Sequence, residues 1–137
     1  MNVILDTNAL IAYNAELTGC GTGLKGIKRQ IADFLVNTEN LTVFVPRIVI
    51  SEFRPSSNRQ VSRDIKILIK SMEEIEFERQ VFESDFLLLD GVFMDFPNLS
   101  LADALLVAYS RKHKCKILTE DRALRSLKGD KKPPLAV

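Results

Sequence analysis

Val3-Ile4-Leu5-Asp6-Thr7-Asn8-Ala9-Leu10-Ile11-Ala12-Tyr13 changes character at Asp6. Before it stands a short, wholly apolar run of the kind that forms a buried strand. After it, Thr7 and Asn8 supply capping side chains for a helical stretch from Ala9 to Tyr13. An apolar strand leading directly into a helix is half of a parallel βαβ unit, and a parallel sheet is covered on both faces.

The same alternation continues along the chain. Gly19, Gly21, Gly23 and Gly26 mark a mobile loop, followed by an amphipathic segment from Ile27 to Val36. A second strand, Leu41 to Val45, stops at Pro46, and a short helix over Ile48 to Phe53 begins beside that proline. Val61, Ile65, Leu68, Ile69 and Met72 recur at helical spacing. Between Glu73 and Phe96 the pattern gives a helix around Phe86–Leu89, with a short strand near Val81 as the alternative. Ser100 opens an apolar helix from Leu101 to Tyr109, Lys116–Thr119 is a further buried strand, and Arg122–Leu127 a last short helix. Lys131-Lys132-Pro133-Pro134 has the composition of a frayed end, so residues 129–137 are expected to form a flexible tail. With no repeat and no long linker, residues 1–137 are expected to form one α/β domain, a three-layer α/β/α sandwich around a mainly parallel sheet.

Bulk composition agrees with that size. The 137 residues are 46% hydrophobic and 27% charged, an ordinary globular mixture that needs no disulfide or structural metal to hold a core. Cys20 and Cys115 match no metal or redox spacing. There is neither a signal-peptide start nor an apolar run of the roughly 18 residues a membrane span requires, so a cytoplasmic protein is expected. The net charge of +1 conceals two basic groups, one from Arg54 to Lys70 and one from Arg111 to Lys132. Such groups suit a phosphate backbone, and equally a solvated helix face.

The informative residues are acids set among apolar neighbours. In Leu101-Ala102-Asp103-Ala104-Leu105-Leu106-Val107-Ala108, a helix apolar on nearly every face carries Asp103. A lone buried carboxylate costs several kcal/mol or takes up a proton. Asp103 read alone is a first-turn acid beside the capping Ser100. Glu52, in Ile50-Ser51-Glu52-Phe53, read alone is an exposed helix residue paired with Arg47 or Arg54. Asp6 and Asp121, each beside a strand end, read alone are turn or cap residues. Ligands of open parallel sheets, however, bind beyond the carboxyl ends of the strands, where Asp6 and Asp121 are delivered. Four acids converging there would repel by roughly 4 kcal/mol per pair at about 4 Å. Only protons or cations relieve that, and an all-carboxylate cage suits Mg²⁺ or Mn²⁺. A divalent ion so held supports phosphodiester hydrolysis without a histidine or covalent nucleophile.

These segments resemble the motifs of the PIN-domain nucleases. Leu5-Asp6-Thr7-Asn8-Ala9-Leu10 resembles the first, and Val45-Pro46 with Ser51-Glu52-Phe53 the second. Leu99 to Ala108 is similar to the third, and Ile117-Leu118-Thr119-Glu120-Asp121 to the fourth. The resemblance spans essentially the whole chain and is greatest to VapC-type toxins of toxin–antitoxin pairs. It implies an Mg²⁺- or Mn²⁺-dependent endoribonuclease, with Asp6, Glu52, Asp103 and Asp121 as catalytic, metal-holding residues. Asn8, Ser100 and Thr119 would be polar supports, RNA the substrate and an antitoxin protein a partner. Leu124 stands where many members carry an aromatic residue, and the Gly19–Gly26 loop is longer than the shortest members need.

Other readings are weaker. The glycine loop lacks the Gly-Lys-Ser/Thr ending of a P-loop. Asn8 replaces the second acid that a haloacid-dehalogenase-like phosphatase needs. A housekeeping RNA-processing nuclease, or a non-catalytic RNA-binding scaffold, stays open. The apolar series from Phe86 to Phe96 is core, or in part a surface for a homodimer or an antitoxin.

Overall fold

A computed structural model describes residues 1–56, 60–74 and 83–137. Strand β1 (Asn2–Leu5) leads into α1 (Thr7–Leu17), and a 3₁₀ turn at Gly21–Gly23 precedes α2 (Ile27–Asn37). Then come β2 (Thr42–Phe44), α3 (Arg47–Ser56), α4 (Arg63–Glu74) and α5 (Glu83–Asp95). The chain closes with α6 (Leu101–His113), β3 (Lys116–Leu118) and α7 (Arg122–Arg125).

The sheet is parallel, in the order β2-β1-β3. Val3 pairs with Val43, Ile4 with Ile117 and Leu5 with Leu118. The central strand is the first in sequence, so Val3, Ile4 and Leu5 are fully buried, as their unbroken apolarity requires. Helix α6 packs against β1 and β3 with α5 beyond it, while α1 packs against β1, α2 and α3. The result is the α/β sandwich expected of the alternating pattern. Its core joins the strands to Leu10, Ile31, Ile50, Ile65, Val92, Leu106 and Leu124. The strand considered near Val81 lies outside the described residues; the helix around Phe86–Leu89 is part of α5.

The glycine loop is not featureless: its 3₁₀ turn is held by Arg29, which donates to the Gly21 carbonyl at 2.9 Å and to Glu16 at 2.6 Å. A Cβ at Gly21 would fall on the Glu16 carboxylate, so a side chain there would require Glu16 to move from Arg29. The 129–137 stretch, expected to be a tail, carries backbone hydrogen bonds to β3. Ile117 N–H donates to the Pro134 carbonyl (2.8 Å) and Ala136 N–H to the Ile117 carbonyl (3.1 Å), which lays the segment alongside β3. Pro133 is buried, and Asp95 receives both Arg111 (3.0 Å) and Lys131 (2.8 Å). Apolar contact and these bonds overcome the polar composition that suggested fraying.

Candidate metal centre

β1 and β3 end side by side, and Asp6 N–H donates to the Leu118 carbonyl across them at 3.1 Å. Asp6 is the N-cap of α1: its Oδ1 accepts from Thr7 N–H at 2.7 Å. Asp121 caps α7 in the same way, accepting from Ala123 N–H at 2.9 Å. For α6 the cap is Ser100, whose hydroxyl accepts from Asp103 N–H at 3.2 Å. The capping roles read from the sequence therefore hold, and they coexist with convergence. Asp6, Asp103 and Asp121 each present a carboxylate oxygen within 4.8 Å of the others.

Thr119 organises this group from beneath. Its buried hydroxyl donates to Asp6 Oδ2 at 2.7 Å and accepts from Asp121 N–H at 2.9 Å. One hydroxyl thus fixes the distance between the ends of β1 and β3. The N-termini of α1 and α6 also point at the acids, where the helix dipole favours negative charge.

Compensation is incomplete. Asp6 and Asp103 are only 9% and 8% exposed. Burial raises Asp103 from the usual carboxylate value to about 6, helped by the charges of Asp121 and Asp6. Asp6 is also raised, chiefly by burial, against the lowering effect of the Thr119 and Thr7 hydrogen bonds. Two full charges at 4.8 Å repel by about 3 kcal/mol at an effective dielectric near 20. This arrangement favours uptake of a cation. The donors are carboxylates, with hydroxyls in support, and suit a hard divalent ion. His113 instead stacks on Phe44, and Cys115 is buried at the entry to β3.

Glu52 does not join the compact group. It is exposed on α3, and its Oε2 accepts from the Thr7 hydroxyl at 2.7 Å. It is near enough for its charge to contribute to raising Asp6. Three of the four predicted acids are therefore assembled, with the fourth held at the rim by Thr7. That tether was missed; Thr7 read only as a capping residue, although its place next to Asp6 in Asp-Thr-Asn was the available signal. Asn8 lines an open groove of about 840 Å³ that runs from Asp121 past Lys25, Gly26, Arg122 and Arg125. The glycine loop thus borders the site.

A family model described as PIN domain matches residues 3–130. The chain belongs to the PIN-domain family. Members are in general metal-dependent nucleases, a chemistry that agrees with the acidic group in this PIN domain. The chain matches no curated protein and no solved structure at a significant level. Among the described residues of the PIN domain, no helix is long and apolar enough to cross a membrane.

Proposed function

We propose that this PIN domain is an Mg²⁺- or Mn²⁺-dependent endoribonuclease that acts as the toxin of a toxin–antitoxin pair. The observation that carries the nuclease reading is the meeting of Asp6, Asp103 and Asp121, two of them buried, within 4.8 Å. These three hold the ion, and Glu52 joins them from the rim through a shift of its long side chain. When bound, the ion would activate water and neutralise a phosphodiester oxygen. Thr119 keeps Asp6 and Asp121 at fixed separation, while Ser100 fixes the first turn that carries Asp103. In the metal-free site the Asp103 carboxyl is raised to about 6, chiefly by burial, so ion uptake below that pH releases its proton.

RNA as substrate is supported by the groove. Of its two acids, Asp121 belongs to the metal centre and Glu120 is paired with Lys28 at 3.3 Å, and Lys25 and Arg122 are exposed along the groove. Point charges on a groove wall contact phosphates and position a strand without reading its bases. For a homodimer partner or an antitoxin, α5 offers Leu87 and Met94, seven residues apart on one helix face and 65% and 84% exposed.

The test is cleavage of a mixed RNA pool with Mg²⁺, Mn²⁺ or EDTA, wild type against Asp103→Asn. Cleavage that requires the ion and disappears in the variant is expected. Well-folded wild type that cuts none of many RNAs would replace this proposal with the non-catalytic RNA-binding reading.

A further inference from the structure

Arg125 lies on the groove wall, where a cation would ordinarily be assigned to substrate, yet its guanidinium is committed elsewhere. Nη1 donates to the Thr119 carbonyl at 3.1 Å and also to the Val137 carbonyl. Its backbone N–H closes α7 onto the Asp121 carbonyl at 3.0 Å. One residue therefore grips both ends of the Thr119–Asp121 turn, whose hydroxyl and amide set the spacing of the acids. The second acceptor, Val137, lies in the 134–137 segment, which is aligned by its bonds to Ile117 on β3. A continuous set of bonds runs from that segment through Arg125 and Thr119 to Asp6 and Asp121.

We infer that Arg125 is a positioning residue for the metal centre, with the 134–137 segment as its anchor. The inference rests on the metal-binding reading above. A guanidinium can serve two carbonyls in fixed directions, whereas the point donor of a lysine keeps the charge but not the geometry. Outer-shell partners of this kind commonly change metal affinity by about 10–100-fold.

The test uses Arg125→Lys, which preserves charge, and Ala136→Pro, which removes the N–H that seats the segment on Ile117. Mn²⁺ binding is measured calorimetrically without RNA, and amide hydrogen exchange is followed in the metal-free protein. Each variant should weaken Mn²⁺ binding about tenfold, with little further loss when they are combined, because they break one connected unit. The Asp121 amide should exchange faster in both, while the buried α6 amide of Val107 keeps its protection. Mn²⁺ affinity within twofold of wild type in the folded variants, or losses that multiply, would overturn the inference. Wild type that binds no Mn²⁺ overturns the metal reading instead. In that case the Asp121 exchange rate alone decides whether Arg125 positions the turn, and an unchanged rate refutes it.

Discussion

Removing the charge of Asp103 should stabilise the metal-free protein at neutral pH while abolishing its activity. Asp103 titrates near 6 in the fold against 3.8 for an unperturbed side chain, mainly because it is buried and secondarily because Asp121 and Asp6 face it. Below pH 4 the group is neutral folded or unfolded and contributes no difference. Between about 4 and 6 the unfolded chain releases its proton first, so stability falls as pH rises. Above 6 the penalty is complete, about 3 kcal/mol at 1.36 kcal/mol for each tenfold change in acidity constant. Asparagine has nearly the same shape and no charge. In EDTA at pH 7.5, Asp103→Asn should therefore gain about 1–3 kcal/mol, the lower figure allowing for imperfect amide hydrogen bonding. For a domain this size that is a rise in Tm of about 3–10 °C. Calorimetry at pH 4 and 7.5, with EDTA and with Mn²⁺, measures it. The gain should vanish at pH 4, and Mn²⁺ should raise the Tm of wild type far more than that of the variant. A variant less stable than wild type in EDTA at pH 7.5, with an unaltered pH slope, would refute the electrostatic account.

Other outcomes follow from single contacts. Thr119→Val leaves the Asp121 amide without its acceptor and Asp6 Oδ2 without the Thr119 donor, and should cost about 1–3 kcal/mol in thermal unfolding. It should also move the Asp6 carboxyl further upward in an NMR titration. Glu52→Gln should lower Mn²⁺ affinity less than Asp6→Asn does, because Glu52 stands outside the three-acid group; equal losses by calorimetry would place it within the first ligand set. Lys25→Ala with Arg122→Ala should raise KM for RNA and flatten the salt dependence of binding by about 0.7 per charge in log–log slope. A slope unchanged in fluorescence anisotropy would remove the strand from this groove.

Where one residue's local chemistry decides its structure, the sequence was legible. Val3–Leu5 is too apolar for anything but a central strand, and Ser100 caps the helix it precedes. The sequence brought Asp6 and Asp121 to the carboxyl ends of two strands, but their meeting depended on those strands being neighbours, as β1 and β3 are. Glu52 was less legible because its distance from the others depends on the rotation of α3 and on a tether from Thr7. Arg125 was read only as one base among many; its two acceptors are backbone carbonyls, which have no sequence signature. The bonds of the 134–137 segment have no signature in its composition. Proline at 134 donates nothing, but on an outer strand its carbonyl is enough for Ile117.

The hydrogen bond from Thr119 to Asp6 joins residues 113 positions apart. Such a contact closes a long loop, whose entropy must be met before the bond forms. Asp6 has neither the Thr119 hydroxyl nor Asp121 beside it until β3 has docked against β1. A chain cut or stalled before residue 116 carries Asp6, Glu52 and Asp103 but lacks Thr119 and Asp121, and so lacks the centre. Assembly of the three-acid centre is in this way conditional on a nearly finished fold.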